Sequence, residues 1–285
     1  MTLPLSMAAR RRHQGLGKKL VLCFGGDVNL GGCVDQSLSQ SVPEAAARAK
    51  VRRLRQRHPL LQRGMRTTEL WGDCIGELGE AAITAVSLVS PLTLHGQRSR
   101  SAGGGMNPVT SRSHPLNVEA LVDANVDFVS LANGHSLDFR EDGLFDTWEA
   151  LAAAGIRHAG SGVDRNRALR PAILTAIGRK LAFFSLSAAG CGLRDAAGQE
   201  MWAANERRPG IAHFDLWDVA SHAEIIEELG AQAHANPRLF RRPPARTTAK
   251  RPLPRTCLLL RNRRSHPRAS RAAAHLPRHR LRVLG

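Results

Sequence analysis

Three short apolar runs in this chain each stop abruptly at a cluster of turn-forming polar residues. Lys19–Phe24 (KLVLCF) breaks into Gly25-Gly26-Asp27, Ala82–Val89 (AITAVSLV) into Ser90-Pro91, and Asp127–Ala132 (DFVSLA) into Asn133-Gly134-His135. Continuous apolar runs of this length, closed by Gly, Pro, Asn or Asp, read as strands buried on both faces. Such strands need covering layers. The intervening segments offer them: Leu116–Asn125 has helical apolar spacing, and Asp142–Ala154 puts Leu144, Trp148 and Leu151 on one helical face before Gly155. The pattern predicts a layered α/β domain with polar loops after its strands.

The other elements are less regular. Residues 43–66, rich in Ala and Arg, read as a helix or a basic surface insertion, and residues 96–115 as a flexible loop. Ile156–Ala159 is a brief strand. Pro171–Ile177 and Lys180–Leu186 flank Gly178-Arg179 as a hairpin, and Val219–Leu229 is a last helix closed by Gly230.

Charge divides the chain. The net charge is +17, yet residues 231–285 hold 15 of the 41 Lys and Arg and no Asp or Glu, leaving 26 basic against 24 acidic side chains in the rest. Electrostatic reasoning about partners therefore applies to this tail alone. The tail also carries seven of the 15 prolines, and only Cys257–Leu260 and Leu281–Leu284 could enter a core. It is expected to be disordered, because it cannot bury enough surface to offset its ordering entropy. Its composition matches what a GC-rich gene yields out of frame. It could also bind nucleic acid or another polyanion, although Phe240 is its only aromatic side chain. Residues 1–17, basic and free of acids, read as a disordered leader, with an organelle transit peptide as the alternative. Residues 18–230 are then the folded domain. Five scattered cysteines without a CxxC pair argue against a disulfide framework or zinc ribbon and favour a reducing, cytoplasmic setting. No apolar run approaches the ~20 residues of a membrane span.

In open α/β sheets, ligands gather at the carboxyl ends of the strands. Asp27 stands there and could hold a divalent cation through oxygen. His135 could donate a proton or ligate a metal, and Asp138, three residues on, could orient its imidazole. Each also has a structural reading: Asp27 as a loop or helix cap, His135 as a satisfied turn residue, Asp138 as a cap for the next segment. Gly26–Gly32 (GDVNLGG) lacks the Lys-Ser/Thr of a phosphate-binding loop and the spacing of GxGxxG, so nucleotide binding finds no support.

The motifs Gly26-Asp27-Val28-Asn29-Leu30-Gly31, Trp71-Gly72-Asp73, Ser90-Pro91-Leu92-Thr93, Asn117–Leu121 (NVEAL) and above all Val126–Thr147 (VDFVSLANGHSLDFREDGLFDT) occur in the order seen in the CapA family. That family is linked to capsule and poly-γ-glutamate synthesis and is similar to calcineurin-like metallophosphoesterases. The resemblance covers residues 18–215 and continues through AGIRHAGSGVDRNRALRPAIL and Trp202–Ile211. It implies a metallophosphoesterase-like layered α/β sandwich, here incomplete. It also implies a divalent metal (Mn, Mg or Zn) held by Asp27, Asn133 and His135, with His135 and Asp138 as catalytic groups, and a polyanionic or phosphoester substrate. Three departures stand out. Val89 replaces the family's Glu, Gly134 replaces the asparagine before the histidine, and the later histidine motifs expected near residue 229 are missing. A metal site that loses its ligands one by one empties, so the resemblance implies a degraded site in a chain that is truncated or frame-shifted at its C-terminus.

Overall fold

The computed structural model describes residues 20–58, 64–99, 110–188, 202–215 and 218–234. The expected leader, and the expected tail beyond residue 234, lie outside these. Strands β1 (Leu22–Val28), β2 (Ile83–Leu88), β3 (Phe128–Ser130) and β4 (Arg157–Ala159) form one parallel sheet in the order β1-β2-β3-β4. Sequential parallel strands need crossovers, and helices supply them.

α1 (Ala45–Arg55), α2 (Cys74–Glu80) and a 3-10 turn at Thr67–Leu70 lie between β1 and β2, and a second 3-10 turn at Pro115–Val118 leads into α3 (Glu119–Asp123) before β3. α4 (Arg140–Ala153) joins β3 to β4 and buries Gly143, Leu144, Thr147, Ala150 and Leu151, a spacing that puts all five on one helical face. It ends where Gly155 takes φ 68°, a backbone conformation that costs glycine nothing.

One face of the sheet carries Val86, Leu88, Val129 and Leu131, packed with Leu121, Val126, Leu151 and Ile156. The opposite face carries Ile83, Ala85, Phe128 and Ala159, and a hairpin of β6 (Ala172–Ala176) and β7 (Arg179–Phe183) covers it through Leu174 and Leu181. Its turn places Ile177 and Gly178 at φ 50° and 70°, the two positive values that a tight primed hairpin turn requires. Short β5 (Ser161–Gly162) and β8 (Gly210–Ile211) pair antiparallel, α5 (Arg165–Ala168) follows β5, and α6 (Val219–His234) closes the described chain.

Four expectations need correction. The first strand does not stop at Phe24 but runs to Val28, because Gly25 and Gly26 are absorbed by a register shift between Phe24 and Asp27; Asp27 thus lies within the strand rather than after it. Gly230 does not end the last helix, which continues to His234, so residues 231–234 leave the expected tail. Of the segment 96–115, residues 110–115 are not loose: Thr110, Arg112 and Ser113 are buried. Leu116–Asn125 is a 3-10 turn followed by a short α-helix rather than one helix.

Candidate functional site

Strand register places the first candidate. Asp27 of β1 pairs with Ser87 of β2, and Ser87 with Ser130 of β3, so the three residues form one row across the carboxyl end of the sheet. The next residues leave the strands together. The Val89 amide donates to the Val28 carbonyl, and the Leu30 amide to Ser90 Oγ at 2.9 Å, which ties the loop after β1 to the loop after β2. The loop after β3 is tied in turn. Asn133 Nδ2 donates to the Leu88 carbonyl at 2.9 Å, and its Oδ1 accepts the His135 amide at 3.0 Å.

His135 and Asp138 are joined, His135 Nδ1 lying 2.8 Å from Asp138 Oδ2. Asp138 is fully buried, while the imidazole is one-third exposed. With Asp138 ionised, Nδ1 carries the proton and Nε2 is left for a ligand. The hydrogen bond to Asp138 raises the His135 pKa; burial opposes this, and the charges of Asp138 and Asp27 reinforce it. Asp27 is exposed and its charge reaches the imidazole, so the fold brings the sequence-distant positions 27 and 135 near each other. Burial raises the Asp138 pKa, against the stabilising effects of the His135 hydrogen bond, the Arg98 charge and the Ser111 backbone.

Two described stretches of the segment 96–115, which the sequence suggests only as a flexible loop, make contacts near the dyad. Ser111 Oγ donates to Asn29 Oδ1 at 3.2 Å, next to Gly31, where an added Cβ would come within 2.7 Å of that hydroxyl; only glycine lets the loops approach so closely. The Ser99 amide donates to the Asp138 carbonyl at 2.8 Å. Behind the dyad, Arg98 and Arg112 lie over the buried Phe139 ring, 5.9 and 5.1 Å from its centroid, and both meet Glu44, at 2.9 and 3.4 Å. Two neighbouring cations, one of them the buried Arg112, would be costly alone; shared with a carboxylate and an aromatic face, they become a brace. Phe139 stands inside the Val126–Thr147 motif and Glu44 in no recognisable one, and their contacts with the two arginines join segments far apart in the sequence.

Further back, Asp35 is fully buried and accepts five hydrogen bonds, from Gln36 Nε2, the Val42 amide, Ser113 Oγ, the His114 amide and Asn117 Nδ2. It locks the segment after β1 to the segment before α3. Asn117 belongs to the NVEAL motif, so that motif serves the fold through Asp35.

The donors present can be compared with a metal centre. Among the described residues no group of three or more His, Cys, Asp or Glu converges. Val89 is aliphatic, Gly134 has no side chain, and both ends of the Asn133 amide are engaged with backbone. The described donors do not fit a two-metal centre. No helix among the described residues is long and apolar enough to cross a membrane.

A family model described as "Bacterial capsule synthesis protein PGA_cap" matches residues 21–236. Two proteins of Mycobacterium tuberculosis, from strains CDC 1551 / Oshkosh and ATCC 25618 / H37Rv, each carry the name "Probable polyglutamine synthesis accessory protein". Each is 33% identical over 174 residues, which covers 59% of this chain and 42% of the relative. The chain thus spans less than half the length of these relatives. The likeness to capsule and polyglutamate synthesis proteins inferred from the motifs is upheld, and with it the metallophosphoesterase-like α/β class. The chain belongs to the bacterial capsule synthesis protein PGA_cap family.

Proposed function

We propose that this chain serves the synthesis of a capsular or polyglutamate-type polymer, and that its working group is the His135–Asp138 dyad at the strand ends. The observation that carries this is the 2.8 Å contact between an imidazole one-third exposed and a fully buried carboxylate, within reach of the Asp27 charge. Asp138 fixes the ring and its tautomer and leaves Nε2 as the nitrogen that can meet a ligand. A raised pKa keeps a larger share of His135 protonated near neutrality, and Nε2–H can then give a proton to an anionic oxygen of a polymer or phosphoester. Asn133 holds the loop that carries the histidine. Asp27 supports the protonated ring by charge.

The metal side of the ancestral chemistry is reduced in this reading. Asp27, Asn133 and His135 are its remnant, too few to hold two ions and enough at most to hold one divalent cation (Mn, Mg or Zn) weakly, because several ligands must converge for tight binding. No step is assigned to a metal.

Two measurements test the proposal. In a mycobacterial strain lacking the relative, expression of this chain should restore envelope polymer, and His135→Ala or Asp138→Asn should abolish the restoration. Full restoration by His135→Ala would remove the dyad from the function. For the purified chain, phosphodiester and phosphomonoester turnover should stay near background with manganese, magnesium or zinc, and Val89→Glu with Gly134→Asn should recover little. Stoichiometric metal binding in calorimetry, with turnover that Asp27→Ala or His135→Ala abolishes, would sink the reduced-site reading.

A further inference from the structure

A cavity of about 450 Å³ opens beside the dyad, and neither the dyad nor its brace accounts for its chemistry. Its floor is apolar, made by Leu137 and Trp202, which are 4% and 6% exposed. Its rim carries two guanidiniums, Arg140 and Arg208, and two carboxylates, Glu141 and Asp142. The volume lies in the range of small-ligand sites, roughly 300–1,000 Å³. Leu137, which lines the cavity, immediately precedes Asp138 in the sequence, and Ser99, also in its lining, donates its amide to the Asp138 carbonyl.

The rim charges select a ligand class. A pure anion such as phosphate or nucleic acid would meet Glu141 and Asp142, and a pure cation would meet both arginines. A chain bearing carboxylates and an ammonium on a partly apolar stem offers each of the four groups an opposite charge and covers the floor. Arg140 adds a second indication. It is held at φ 61°, where glycine would sit without strain and an L side chain does not. Its side chain reaches only one described partner, Gln97 Oε1 at 3.0 Å, in an exposed contact. That contact is too weak to account for keeping a strained arginine, since exposed polar contacts contribute little; a guanidinium at a ligand clamp does account for it.

We infer that this cavity is a subsite for the free amino-terminal end of a glutamyl oligomer. Arg140 and Arg208 take its carboxylates, Glu141 and Asp142 take its ammonium, and Trp202 and Leu137 cover its methylenes. The inference rests on the polymer-synthesis reading and gives that reading a binding surface of its own.

The test is calorimetric titration of the full chain with γ-linked triglutamate, alongside its N-acetylated form. The wild-type chain should bind the free oligomer. Arg140→Gly should weaken binding by about tenfold or more, the loss expected for one charge-assisted hydrogen bond. Because glycine suits the backbone at this position, the variant should melt no lower than the wild type, so lost binding cannot be ascribed to misfolding. N-acetylation should weaken binding about fivefold or more by removing the ammonium. Failure of the wild-type chain to bind, or equal affinity for the acetylated form, overturns the subsite. Binding that Arg140→Gly leaves unchanged also overturns it, because the oligomer then sits elsewhere. The polymer-synthesis reading would survive each of these results, being judged by the envelope-polymer test of the dyad.

Discussion

Asp35 accepts five hydrogen bonds and is wholly buried, whereas Asp27, eight residues earlier, stands exposed on β1 with no hydrogen-bond partner among the described residues. Both are aspartates near the carboxyl end of the first strand, and the fold uses them in opposite ways. A buried carboxylate is stabilised by the donors around it, and Asp35, with five, has little lone-pair capacity left to offer a ligand. An exposed carboxylate contributes little to stability and keeps its lone pairs for solvent or substrate. The contrast separates a residue that ties two segments of the fold together from one that stays open to solvent. Asp138 lies between the two: fully buried like Asp35, yet bonded to a ring that reaches the opening.

Removing Asp35 should produce the largest effect. Asp35→Ala leaves the Val42 and His114 amides, Ser113 Oγ, Gln36 Nε2 and Asn117 Nδ2 short of an acceptor in a buried setting. The expected loss is about 3–5 kcal/mol, the usual size when one partner of a buried charged network is deleted. Urea denaturation followed by far-UV circular dichroism measures it. A loss under about 1 kcal/mol would show that water or rearranged neighbours replace the carboxylate, and the contrast with Asp27 would collapse.

The same contrast marks what the sequence could reveal. β2 and β3 were legible because they are continuous apolar runs cut off by Ser90-Pro91 and Asn133-Gly134, and the observed strands fall inside the expected spans. The hairpin was legible through Gly178. The dyad was legible as spacing, since a loop can fold an aspartate three residues beyond a histidine back onto its ring. Asp35 was not, because nothing local distinguishes a buried loop aspartate from an exposed one; its donors come from Ser113, His114 and Asn117, roughly eighty residues on. The brace of Arg98, Arg112 and Glu44 was hidden for the same reason. Arg112 sits in a Gly- and Ser-rich stretch whose composition suggests a flexible loop, yet it is 4% exposed because Glu44 and the Leu94 carbonyl pull it inward. Composition reports average solvation, and long-range pairing overrides it. Asp27 was placed after the strand rather than in it because a glycine pair normally ends a strand, and only the register shift with β2 reveals that it does not.

A smaller effect should appear with pH at the edge of the sheet opposite β1. His158 of β4 stacks on Trp148 with ring planes 5° apart, and its Nδ1 is buried without a hydrogen-bond partner among the described residues. Burial lowers its pKa, and the Arg157 charge lowers it further. In the unfolded chain the ring takes up a proton near its ordinary value of about 6.5, whereas in the folded chain it does so only at lower pH. Between those two points the unfolded state binds more protons, so stability falls as pH falls through that window and is fully present above about 6.5. His158→Phe keeps an aromatic ring on Trp148 and removes the titration. Urea midpoints between pH 7.5 and 5 should therefore fall less steeply for the variant; some slope remains, because burial also lowers His114. An unchanged slope would mean that His158 titrates as it does in water.

Asp27→Ala should have the smallest effect on stability and is the sharpest test of the comparison. The side chain is exposed and bonded to nothing described, so the folding free energy should move by no more than about 0.5 kcal/mol, the usual range for a surface substitution. Its effect should show instead at a distance, on His135. The Asp27 charge is one of the causes that raise the His135 pKa, so its removal should shift the imidazole titration to lower pH, with the Asp138 hydrogen bond still holding most of the increase. Titration of the His135 ring by two-dimensional NMR in the presence of a chelator reads this without interference from metal. A variant with wild-type stability and a lowered His135 titration confirms that Asp27 faces the dyad while Asp35 sustains the fold. A variant that loses several kcal/mol would mean that Asp27 is structural, and one with an unmoved titration would mean that it lies too far from the ring to act on it. Either result would take Asp27 out of the site and leave the His135–Asp138 pair to stand on its own.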